Sequence, residues 1–140
     1  MRDSKLFDEA ILRFFGPVAS VVGLPLSKVK DGVYEITSPD FVMRIRLDTG
    51  HRRGINVILR RASDEACDEK KPGCGLVHFV KFGGGEWESD EIVQTDADFM
   101  RKAHQYAQAA ERFGIPQLLG INDHFNDIEQ KVAELGVLGR

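Results

Sequence analysis

The sequence predicts an α+β fold: a two-layer sandwich, with an antiparallel sheet of four or five strands and N-terminal and C-terminal helices packed on one face of it. Three observations predict it. Apolar residues recur at three- and four-residue spacing near both ends of the chain. Between them, residues 41–48 alternate, with Phe41, Met43, Ile45 and Leu47 facing one way and Arg44, Arg46 and Asp48 the other. That alternation leaves one face of the sheet in need of cover. At 140 residues the chain suits a single domain, 1–140, with one core.

The elements follow in order. Residues 4–15 read as an amphipathic helix capped by Ser4, with Leu6, Phe7, Ala10, Ile11, Phe14 and Phe15 on its stripe. Gly16-Pro17 interrupts it, because proline suits the first turn of a helix and not its interior. Val18, Val21 and Val22 continue the stripe, which predicts a kinked helix or two short ones ending near Gly23, with Pro25 as a stop. Val29 and residues 33–37 form a hairpin about Asp31-Gly32. Strand 41–48 comes next, then a turn over 49–54, then strand 55–62 with Ile55, Val57 and Leu59 inward. Residues 63–75 have no apolar period and read as an exposed loop. Residues 76–82 are apolar apart from His78 and Lys81 and read as the most buried strand, ended by Gly83-Gly84-Gly85. Residues 92–95 suggest a short edge strand. A helix capped by Asp96 or Asp98 then carries Phe99, Ala103, Tyr106, Ala110 and Phe113, and stops at Gly114-Ile115-Pro116. A last helix starts near Asn122 or Asp123, carries Phe125, Ile128, Val132 and Leu135, and ends at Gly136. Phe14, Met43, Ile45, Val57, Phe79, Phe99 and Tyr106 are expected in one core.

With 42% hydrophobic and 29% charged residues, the composition is that of an ordinary globular protein. No apolar run reaches the roughly 18 residues of a membrane span, and Asp3, Asp8 and Glu9 argue against a leader, so the expectation is a cytoplasmic protein with no membrane partner. The net charge of −3 conceals an asymmetry: the chain is basic up to residue 62 and strongly acidic after it. Such a division hints at a charged partner.

Catalytic and metal motifs are weakly represented. Cys67 and Cys74 fit two reduced thiols better than a disulfide in that compartment. Zinc needs about four ligands, and His51, His78, His104 and His124 stand at no metal spacing, so neither metal nor cofactor is expected. Gly83-Gly84-Gly85 lacks the Lys and Ser/Thr of a phosphate loop and is followed by Glu86 and Glu88. Two charged features stand out instead. Arg44, Arg46, Arg52, Arg53, Arg60 and Arg61 fall on strands 41–48 and 55–62 or their turn. Arg44, Arg46 and Arg60 share the outer face, as a face solvated and paired with local acids, a docking face for an acidic protein, or one for nucleic acid. The aromatic platforms of single-strand binders are missing there. The second feature is Glu86, Glu88, Asp90, Glu91, Asp96 and Asp98, with no base among them and Trp87 in their midst. A tryptophan beside carboxylates suits a protein contact, the ring giving area and the charges steering; equally, the ring can fold back onto the core.

The stretch from Phe14 to Leu59, with GLPLSKVKDGVYEI, FVMRIRLDTGHRRG and INVIL, resembles immunity proteins of bacterial polymorphic and contact-dependent toxin systems. The resemblance implies a single α+β domain that caps a toxin by direct binding, and it carries no catalytic residue. FFGPVASVVGLPL followed by VYEI resembles type III secretion chaperones, which place a helix between their third and fourth strands; residues 62–75 here have no room for it. The expected function is therefore a non-enzymatic protein-binding domain, an immunity protein occluding its cognate toxin. Its partner-binding candidates are Glu86, Trp87, Glu88, Asp90 and Glu91, with Arg44, Arg46 and Arg60 as the opposing surface. A nucleic-acid-binding module and a small Cys/His hydrolase built on Cys74 are the alternatives from other classes.

Overall fold

The computed structural model describes residues 2–48, 54–63, 74–87, 93, 95–121 and 124–138. Five strands, β1 (Leu26–Lys30), β2 (Val33–Thr37), β3 (Phe41–Asp48), β4 (Gly54–Arg61) and β5 (Cys74–Gly75), lie side by side in chain order, each antiparallel to its neighbour. Helices flank this sheet, and the α+β sandwich read from the sequence is the fold. The β1–β2 hairpin turns at Asp31-Gly32, where Gly32 takes a φ of 79° that favours glycine. Residues 49–53, with His51, Arg52 and Arg53, and the loop position Cys67 lie outside the described residues.

The N-terminal helix bends by a specific device. α1 (Arg2–Ala10) runs into a π-helical turn (Ile11–Phe15) and then α2 (Gly16–Val21). The Gly16 N–H donates to the carbonyl of Ile11, five residues back instead of four. Pro17 has no N–H, and in a regular helix its ring would press on the carbonyl of Arg13. One extra residue in the turn gives the ring room. Helix α1 starts before Ser4, which is therefore an interior residue and no cap.

The same device overturns the stop expected at Gly114-Ile115-Pro116. α4 (Asp96–Ala109) passes through a second π-helical turn (Ala110–Gly114), in which the Ile115 N–H donates to the Ala110 carbonyl, and continues as α5 (Ile115–Leu118). Gly120, at φ 73°, follows its end. Gly114 is a close-approach residue and not a cap: a β-carbon there would collide with the ε-methyl of Met43 on β3. At its other end α4 is capped by Thr95, not by Asp96 or Asp98. The Thr95 hydroxyl accepts from the Asp98 N–H at 3.0 Å and the Asp98 carboxylate accepts from the Thr95 N–H at 3.2 Å. No edge strand involves Val93 or Thr95, the described members of residues 92–95.

Residues 76–82 form a helix, α3 (Leu76–Phe82), where a strand was expected. A seven-residue apolar run satisfies either structure, and burial decides. Leu76, Phe79 and Val80 are buried, at the i, i+3, i+4 spacing of one helix face, and Lys81 is exposed. Among the described residues of the expected loop, Cys74 and Gly75 join the sheet, opposite Leu59 and Ile58, so Cys74 is buried and not exposed. The triple glycine follows a helix. A β-carbon on Gly83 or Gly85 would approach the Phe113 ring to 2.8 or 2.7 Å, so the run lets the chain cross that ring. The last helix, α6 (Phe125–Leu138), runs through Gly136 without ending there.

One core joins the layers. Phe7, Ile11 and Phe15 meet Met43, Ile45, Val57 and Leu59 of the inner sheet face, with Phe79, Phe99 and Phe125 closing it. Of the expected core, Phe14 and Tyr106 are half-buried at its margin and the other five are buried. Ala103, Ala107 and Ala110 are almost fully buried, and such small side chains permit close packing of α4. Asp8 ties α1 to the hairpin, accepting from the Tyr34 hydroxyl at 3.0 Å and from Lys28 at 3.0 Å. Arg61 ties β4 to α6, lying 4.5 Å from the Phe125 ring centre and donating to Glu129.

Candidate interaction surface

The arginine face comes first, because its register is fixed. Glu35 on β2 stands opposite Arg44 on β3, and Arg60 on β4 opposite Val42 of the same outer face. Arg44, Arg46 and Arg60 are thus brought to one face, as expected. Their charges are not equally available. The Glu35 carboxylate accepts from Arg44 Nε at 3.0 Å and meets Arg44 Nη2 at 2.9 Å; Arg60 Nη2 joins at 3.5 Å. The Arg60 side chain is 10% exposed and that of Glu35 14%. In so closed a setting the carboxylate offsets much of the cationic field. Arg46 is exposed.

The acidic segment divides as well. Asp98 serves the α4 cap and accepts from Arg101 at 2.8 Å, which leaves it engaged in local structure. Glu88, Asp90 and Glu91 lie outside the described residues. Glu86 is exposed. Trp87 neither projects freely nor sinks into the core: its ring lies 4.7 Å from Tyr106, and Lys102 Nζ lies 5.4 Å from the indole centre. Burial raises the Tyr106 pKa above its ordinary value. Beside Trp87 is a shallow groove of about 180 Å³, whose walls include Glu86, Gln105, Gln108 and Arg112.

Across α4 lies a larger groove that the sequence did not reveal, about 330 Å³, between the N-terminal helix pair and α4–α5. Its apolar walls are Phe14, Pro17, Val18, Val21, Val22 and Ile115; Arg13, His104, Gln108 and Glu111 add polar groups. Phe14 stacks on His104 at 4.9 Å, with the Arg13 guanidinium 5.1 Å from the same ring. Val21 is 84% exposed, against the core position its stripe implied. The π-helical turn is the cause. One extra residue rotates everything after it by roughly 100° about the helix axis, which carries Val21 off the core side. The usable signal was the pair RFFGP and RFGIP, two Arg-Phe-Gly-Pro arrangements that each build a π-helical turn and place Phe14 and Ile115 beside this groove. Gln108 lines both grooves, so the exposed ridge of α4 separates them.

Among the described residues, the remaining chemical candidates are Cys74 and the histidines, of which Cys74 and His78 have shifted acidities. Burial pushes the Cys74 thiol up to about 11, the Glu129 charge adds to this, and Arg61 works the other way. Such a thiol is neutral at pH 7, opposite to what a cysteine nucleophile needs. His78 is on α3, its pKa lowered by burial and then by Lys81. No helix among the described residues is long and apolar enough to cross a membrane. Comparison with protein-family models gives no match, and neither do comparisons with curated proteins and with solved structures.

Proposed function

We propose that this is a non-enzymatic protein-binding domain, and that its partner is a bacterial toxin neutralised by occlusion, as an immunity protein does. The observation that carries the reading is the pair of grooves flanking α4, one with Val21 84% exposed and one beside Trp87 and Glu86. Exposed apolar surface rimmed by polar groups is what a protein contact buries. A half-seated tryptophan, already ordered on Tyr106, offers contact area at small further cost in freedom. Glu86 and the acids that follow it in sequence, Glu88, Asp90 and Glu91, supply steering toward a basic partner. Glu35 spends Arg44 and Arg60 internally, so the sheet face is the weaker candidate for a protein or for nucleic acid.

Co-expression with the toxin encoded beside this chain's own gene tests the reading. Rescue of growth is expected. Reversing Glu86 and Glu88 to Lys slows association more than it speeds dissociation, and added salt narrows that difference, since the screening length is about 8 Å at physiological ionic strength. A chain that rescues no cell from a neighbouring toxin, yet retards DNA at physiological salt or turns over a substrate, belongs to another class.

A further inference from the structure

A third, chemically distinct cleft lies where α3, α5 and α6 meet. It consists of two adjoining depressions, each of about 190 Å³, which share Phe82 and Ile128. One is lined by Arg112, Gln117 and His124 among its polar groups. The other is an apolar slot closed by Val132, with His78, Lys81 and Lys131 about it. Every charged residue lining either depression is a cation, and no carboxylate lines them among the described residues. That is unexpected in the acidic half of an acidic chain.

The polar groups are held and not merely nearby. Lys131 Nζ lies 5.0 Å from the centre of the Phe82 ring, Arg112 lies 5.1 Å from that of Phe113, and His124 packs on Phe82 at 4.9 Å. Gln117, 1% exposed, accepts the His124 backbone N–H at 2.9 Å and so fixes the histidine at the rim. Cations seated on aromatic rings beside an apolar slot are complementary to a ligand with one negative charge and one short apolar chain.

We propose that this cleft binds an amphipathic monocarboxylate, its carboxylate at Arg112 and His124 and its alkyl chain in the slot against Phe82, Ile128 and Val132. Each depression is smaller than the roughly 300–1,000 Å³ of a site for a drug-sized molecule, so a chain of several carbons fits better than a long acyl group. The proposal does not depend on the toxin reading, because the ligand is titrated into the isolated protein.

The experiment is calorimetric titration of the full chain with octanoate, octan-1-ol and acetate at pH 7. Octanoate is expected to bind one to one, about tenfold or more tighter than the uncharged alcohol or the chainless anion, a difference of about 1.4 kcal/mol. Arg112→Glu is expected to weaken octanoate by about tenfold by setting a carboxylate against a carboxylate, and Val132→Trp to block the slot. Lys131→Glu, on the exposed side of α6, is a further reversal that leaves the core untouched. Octan-1-ol binding as tightly as octanoate, no saturable octanoate binding, or unchanged octanoate affinity in folded Arg112→Glu and Lys131→Glu proteins overturns the proposal.

Discussion

The outer face of the sheet and the grooved flank of α4 both carry charged side chains and put them to opposite uses. On the sheet, Glu35 gathers Arg44 and Arg60 into one closed cluster, and the arginines serve the strands that bear them. About α4, Glu86 and Glu111 stay exposed beside grooves whose apolar walls are themselves open, Val21 above all. What differs is the register. Cross-strand pairing sets Glu35 opposite Arg44, whereas the first π-helical turn carries Val21 away from the core and leaves it uncovered. A cluster of charge in a sequence is thus a poor guide to a binding surface until its internal partners are known.

That contrast between engaged and open side chains can be broken by mutation. The largest effect belongs to the interior. Phe79→Ala removes a ring that is 4% exposed and packs on Phe125, and is expected to cost about 3–5 kcal/mol in denaturant unfolding. An unchanged midpoint would place α3 elsewhere.

Alkaline titration comes next. The Cys74 pKa is raised in the folded protein, so the native state holds its proton after the unfolded chain has lost it. The stabilising contribution is complete below about pH 9 and is lost as pH rises through about 11. The expected loss is of the order of 2–3 kcal/mol. Tyr34 and Tyr106, also raised, contribute in the same direction at higher pH. Cys74→Ala should flatten the first part of that curve, and a wild-type stability that holds between pH 9 and 11 would contradict the buried thiol.

Glu35→Gln sharpens the comparison directly. It leaves Arg44 and Arg60 facing each other without their carboxylate and should cost about 1.5–3 kcal/mol, whereas Arg46→Glu on the same face should change stability by less than about 0.5 kcal/mol. Equal effects in the two variants would mean that the sheet-face arginines are not differently engaged. The smallest expected effect is that of Val21→Arg, within about 0.5 kcal/mol of wild type, because an exposed groove wall adds little to folding.

The fold was legible where periodicity was unambiguous. Phe41–Asp48 alternates with period two over eight residues, and its burial follows that alternation apart from Val42, which is covered on the outer face. It was misread where two structures share a pattern or where the pattern shifts phase. Leu76–Phe82 is too short and too apolar for period to separate strand from helix. The Gly-Pro and Gly-Ile-Pro sequences read as breaks, because a proline inside a helix is costly unless a widened turn admits it, and nothing local announces that widening. Trp87, Glu86 and the arginines were found as residues, and their partners were not. Glu35 is close to Arg44 in sequence but distant from Arg60, and Tyr106 is distant from Trp87, so only the fold unites them.

The central claim, that the partner meets the grooves about α4 and not the arginine face, is tested most directly by growth rescue with two stable surface variants. Cells expressing the toxin that the proposed function calls for would carry this chain as wild type, as Val21→Arg or as Arg46→Glu, at matched soluble levels. Rescue that is lost with Val21→Arg and kept with Arg46→Glu is the predicted result. Rescue kept with Val21→Arg and lost with Arg46→Glu would contradict it and move the contact to the sheet.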